Sequence, residues 1–173
     1  MILLCLSVIY ITGFAITILH ESAHVAILGE TPQEVIIGLP ILLRIRFRNI
    51  LIYPVLPICG CTKMELTRQP TKFRMLCFTL SGCIAGVIAS ISCGFFGYML
   101  LPPEALSRIH HNGHRLGFLL RDVVSGTSDV QTTLATALII SAILYSVQQL
   151  GNLAPLKSYD GHNFLRVLRH RQE

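Results

Sequence analysis

His20, Glu21 and His24 form an H-E-x-x-H stretch at the end of a long apolar run. On a helix, residues i and i+4 share one face, so both imidazoles can reach a single metal ion. Glu21 is turned about 100° from His20, which sets it beside that ion. Two imidazoles and one carboxylate, with a position left open for water, suit Zn²⁺. Zinc lowers the pKa of water toward ~7, and Glu21 is the base placed to take the proton. The plain alternative is a pair of core histidines. Against it, an ionisable triplet at the end of a membrane helix is costly to insert and marks a functional site.

Such a metal needs a third ligand. Residues Asn152 to Gly161, Asn-Leu-Ala-Pro-Leu-Lys-Ser-Tyr-Asp-Gly, offer Asp160. The first and third apolar runs of a three-span chain point the same way. His20 and His24 close the first, and Asp160 follows the third, so all three fall near one membrane face. Pro155 breaks the helix and lets the chain bring Asp160 back toward the bundle. In isolation, Asp160-Gly161 reads as a surface turn.

The elements that must position these residues are those of a membrane protein. Of 173 residues, 52% are hydrophobic and 13% charged, where an ordinary soluble domain has about 25% charged. That excludes intrinsic disorder. Six cysteines, several of them inside apolar runs, do not make a disulfide scaffold. The net charge is +5, but the basic residues sit between apolar runs, which fits membrane topology and not nucleic-acid binding.

Three spans are expected, at about 1–29, 73–101 and 132–151, in a mainly α, polytopic, single-domain protein. Met1 to Leu19 carries no charge and has about the length needed to cross a bilayer. No Lys or Arg precedes Arg44, which argues against a cleaved signal peptide. Gly29 is a candidate C-cap. The second span has Gly82 and Gly86 on one face, a small-xxx-small pattern that permits close helix approach. Between the first two spans, residues 33–57 read as a small β-hairpin or sheet. Leu43, Ile45 and Phe47 alternate with Arg44, Arg46 and Arg48, and Ile50–Tyr53 and Val35–Ile37 supply further strands. Short amphipathic stretches fill the connection between the second and third spans. The first connection holds seven basic residues, the second three and the C-terminal segment four. The positive-inside rule then puts the N-terminus outside and the site toward the cytoplasm.

With these residues and elements in order, the chain resembles the site-2 protease-like intramembrane zinc metalloproteases. The resemblance rests on His20, Glu21 and His24, and on Asn152, Pro155, Asp160 and Gly161 as N-x-x-P-x(4)-D-G. It extends over nearly the whole chain. It implies a three-helix catalytic core and Zn²⁺ held by His20, His24 and Asp160. It also implies Glu21 as general base and Asn152 near the substrate or the developing oxyanion. The family's second helix often carries Gly-Pro-x-x-Asn; here Gly82-Cys83-Ile84-Ala85 lacks both Pro and Asn. The length is about that of a bare catalytic core.

The expected function is hydrolysis of a peptide bond in or near a transmembrane segment of a membrane-anchored protein, with a regulatory membrane partner as a further possibility. The expected host is a prokaryotic plasma membrane. The alternative is a catalytically silent relative that binds a substrate or partner. A transporter would want ionisable groups near the bilayer midplane, and the second and third spans have none in their centres. The H-H-x-x-H of His110, His111 and His114 reads as a solvated loop cluster, and Cys59-Gly60-Cys61 as a turn.

Overall fold

The computed structural model describes residues 1–39, 43–54, 60–64, 70–112, 115–154 and 160, without the side chains of 110–112, 115 and 116. Pro155, Gly161, His114 and Cys59 lie outside the described residues, as do the side chains of His110 and His111.

Among the described residues, three helices are long and apolar enough to cross a membrane: α1 (Ile2–Leu28), α2 (Lys72–Leu100) and α5 (Val130–Asn152). Between α1 and α2 lie four short strands, β1 (Glu34–Ile37), β2 (Ile45–Phe47), β3 (Ile50–Ile52) and β4 (Gly60–Lys63). Between α2 and α5 lie two short amphipathic helices, α3 (Pro103–Asn112) and α4 (Arg115–Ser125). The expected architecture, a mainly helical protein with three spans and a small sheet inserted after the first, is observed.

The long helices are turned inside out relative to a soluble bundle. On α2, Ile84, Ile88, Ile91 and Phe95 form one exposed apolar face. The opposite face, with Thr79, Cys83 and Ser90, is buried. Lipid supplies no hydrophobic force to bring helices together, so small and polar residues make the seams. Their hydroxyls are satisfied within the helix: on α5, Thr136 Oγ1 donates to the Thr132 carbonyl at 2.7 Å and Ser141 Oγ to the Ala137 carbonyl at 2.8 Å. This return to the i−4 carbonyl is what lets Ser and Thr occupy a helix in lipid.

Contacts divide the chain into two compact units. The first, residues 1–12 and 90–144, packs Cys5, Val123 and Ala137 into one cluster and Leu101, Leu119 and Ala135 into another. In it, the Asp129 carboxylate caps α5 by accepting from the Thr132 amide at 2.6 Å.

The second unit, residues 13–89 and 145–173, contains the sheet. Strand order is β2-β3-β1-β4. β2 and β3 form an antiparallel hairpin, β3 pairs parallel with β1, and β1 pairs antiparallel with β4. Val35 and Ile37 of β1 and Leu51 of β3 turn inward, while all three residues of β2 are exposed. The hairpin turn places Arg48 at φ 51°, in the left-handed region. Three strands fall within residues 33–57, where alternation predicts them. β4 falls beyond, on the Gly60-Cys61 stretch that reads as a turn; it forms because Val35 and Ile37 of β1 pair with Thr62 and Gly60.

α1 ends as its sequence predicts. Gly29 takes φ 63°, and its amide donates to the Val25 carbonyl at 3.0 Å. Arg74, in the first turn of α2, donates its Nε to the Ile27 carbonyl at 3.1 Å and its guanidinium also to the Leu28 carbonyl. The cation satisfies carbonyls left open at the helix end. It also ties the start of α2 to the end of α1, one turn past His24.

Candidate metal centre

All described parts of the site belong to the second unit. The last two turns of α1 present His20, Glu21 and His24, which are buried at 6%, 3% and 4% exposure. Helix α2 passes close because residue 82 has no side chain. A Cβ on Gly82 would lie 2.6 Å from His20 Nε2 and closer still to His24 Nε2. Gly86, one turn on, packs in the same way against Gln149 of α5. The small-xxx-small pair is therefore a packing seam, and what it packs against is the site.

Both imidazoles are anchored through Nδ1. His24 Nδ1 lies 2.6 Å from the Phe78 carbonyl and His20 Nδ1 lies 2.7 Å from Gln149 Oε1. A carbonyl can only accept, so each Nδ1 carries the proton and each Nε2 keeps its lone pair. The two Nε2 atoms are 3.2 Å apart. Asp160 Oδ2 lies 3.2 Å from His20 Nε2 and 3.5 Å from His24 Nε2. Burial alone would raise the Asp160 pKa, but hydrogen bonds and positive charge from the two imidazoles, when these are protonated, outweigh it and hold the carboxyl well below the usual range.

Three acceptor atoms thus converge, an arrangement that calls for a cation between them. A four-coordinate metal ion fits by distance. Ligands at about 2.0–2.1 Å in tetrahedral arrangement stand about 3.3–3.4 Å from one another. The observed separations of 3.2, 3.2 and 3.5 Å bracket that value. The carbonyl partners of Nδ1 are also the outer contacts that metal-bound imidazoles ordinarily have.

A further donor approaches from α2. Cys83 Sγ lies 3.5 Å from Asp160 Oδ2. The donor atoms of His20, Cys83 and Asp160 all fall within 4.8 Å of one another. This buried His/Cys/Asp group can hold a metal ion.

Glu21 is held by the sheet. Thr62 Oγ1 of β4 donates to Glu21 Oε2 at 2.6 Å. Gly60 of the same strand packs on the carboxylate so tightly that a Cβ there would overlap it. The sheet thus clamps Glu21. Cys61, between those two residues, has its thiol pKa pushed up by burial and by the Glu21 charge. Asn152 is the last residue of α5 and is half-buried.

The structure therefore brings His20, His24 and Asp160 together and sets Glu21 beside them. Sequence reasoning passes over Cys83, Gln149, Thr62 and the Phe78 carbonyl. Gln149 carries a readable signal, since an amide inside a membrane helix needs a buried partner. Cys83 carries none, because a thiol in an apolar run behaves as a small hydrophobe.

Comparison with family models, curated proteins and solved structures finds no match to the chain. Fold and cluster together establish a helical, membrane-spanning protein with a buried His/Cys/Asp group able to hold a metal ion.

Proposed function

We propose that the chain is a zinc-dependent intramembrane endopeptidase. It cleaves a peptide bond in or near a transmembrane segment of a membrane-anchored protein, with the site toward the cytoplasm. The observation that carries this reading is the convergence of three candidate ligand atoms, His20 Nε2, His24 Nε2 and Asp160 Oδ2, near a clamped carboxylate. His20, His24 and Asp160 hold the ion, which supplies a Lewis acid. Glu21 takes a proton from water and returns it to the leaving amine. Thr62 and Gly60 hold the Glu21 carboxylate at one angle for both transfers. Asn152 contacts the substrate near the scissile carbonyl.

A helical substrate has its amides bonded internally, so it must be opened before hydrolysis. The sheet order ends at β4. A substrate segment that adds along β4 would have its backbone groups satisfied there, beside Thr62 and hence beside Glu21.

One observation favours the silent-relative reading: Cys83 supplies a fourth donor, and four protein ligands make a closed, structural kind of site. Two measurements on the purified full chain separate the readings. Metal analysis is expected to give about one zinc per chain, lost in His20→Ala and Asp160→Ala. Cleavage of a co-expressed membrane substrate is expected to vanish in Glu21→Gln with zinc retained. Zinc bound normally and cleavage unaffected by Glu21→Gln would falsify the endopeptidase reading.

A further inference from the structure

We infer that Cys83 is a thiol gate on the metal centre. In the resting protein its sulfur takes the coordination position that hydrolysis needs for water. The inference rests on the metal reading above and adds a regulatory state to it.

Distance, approach and chemistry each point to Cys83 as a donor. A sulfur and a carboxylate oxygen bound to one zinc, at about 2.3 and 2.0–2.2 Å, stand about 3.5–3.7 Å apart. Cys83 Sγ and Asp160 Oδ2 are 3.5 Å apart. Gly82 lets α2 come up against both imidazoles, and the next residue on that helix is Cys83. The thiol is buried at 1% exposure, so it is aimed into the cluster and away from lipid. Without metal, the thiol donates to Asp160. With metal, it would lose that proton and bind as thiolate.

The consequence follows from counting donors. His20, His24 and Asp160 leave one of four tetrahedral positions open, and a catalytic zinc site requires that opening. Cys83 fills it. Water and a substrate carbonyl then enter only when the sulfur leaves. The gate acts on metal coordination and needs no change of fold.

The test uses the full chain in detergent, loaded with Co²⁺. The native protein is expected to show the visible bands of four-coordinate cobalt and a near-ultraviolet sulfur-to-cobalt charge-transfer band. Cys83→Ser keeps the cobalt and the visible bands and loses the charge-transfer band; Cys61→Ser keeps all of them. Cobalt bound by the native chain without that band, or a band that survives Cys83→Ser, overturns the gate and leaves the endopeptidase reading standing. A native chain that binds no cobalt overturns both. Substrate cleavage by Cys83→Ser is expected to exceed that of the native chain, and a loss of cleavage with cobalt bound normally contradicts it.

Discussion

Gln149→Leu removes the carbonyl that accepts from His20 Nδ1 at 2.7 Å and keeps nearly the same volume. Both residues are buried, Gln149 to 1% exposure, so no water replaces the lost oxygen. A buried N–H left without a partner costs about 1–3 kcal/mol. His20 can then carry its proton on either nitrogen, and a proton on Nε2 blocks the metal. Removing such an outer contact typically lowers metal affinity about 10–100-fold, which equals about 1.4–2.8 kcal/mol. The two routes agree, so a 10–100-fold loss of zinc affinity is expected. The assay is zinc competition against a chromophoric chelator, with purified chain in detergent and thermal unfolding followed in parallel. Gln149→Glu keeps an oxygen at the same reach and is expected to recover most of the affinity. Zinc affinity in Gln149→Leu within about twofold of native would show that His20 is not oriented through Nδ1, and the tautomer argument would fail.

Other perturbations reach the remaining contacts. Gly82→Ala puts a Cβ 2.6 Å from His20 Nε2 and nearer still to His24 Nε2, where ordinary contact begins at 3.4 Å, so α2 must retreat by about 1 Å. Overpacking of this size costs about 1–3 kcal/mol, and lowered thermal stability together with lost zinc is the expected result. Thr62→Val removes the hydroxyl on Glu21 Oε2; turnover is expected to fall about tenfold with zinc content unchanged, measured on one substrate at saturation. Glu21→Gln takes away one of the negative charges that, after burial, raise the Cys61 pKa, so alkylation of Cys61 at neutral pH is expected to quicken, as read by peptide mass spectrometry. Asp160 has a lowered pKa, so its stabilising contribution is whole above its ordinary 3.8 and is lost as pH falls through the lowered native value. Metal binding needs proton-free ligands, so zinc release on acidification is expected to precede loss of the folded state. Parallel zinc and circular-dichroism titrations check that order.

Much of this was readable from one chain because the lipid environment makes the signals coarse. A span needs about twenty apolar residues, and the three runs could hardly be anything else. His20, Glu21 and His24 are legible because i, i+4 spacing on a helix is local geometry. Asp160 is legible only through topology, as the acid that follows a helix parallel to the first. What is not legible depends on contact between distant segments. β4 is a strand because β1 offers it an edge, and Gly60-Cys61 has no strand pattern of its own. Cys83 lies in a run of small and apolar residues, and its role appears only when Gly82 is seen against two imidazoles. Thr62 and Gln149 are ordinary polar residues until their partners are known. In each case the fold supplies the second half of a pair of which the sequence shows one half.

In the proposed function, Glu21, beside a metal held by His20, His24 and Asp160, hydrolyses peptide bonds within the membrane. The most direct measurement compares new peptide termini in membrane fractions from cells that produce the native chain or Glu21→Gln at equal levels. Termini inside or next to transmembrane segments are expected with the native chain and not with Glu21→Gln. The same set of termini in both would contradict it.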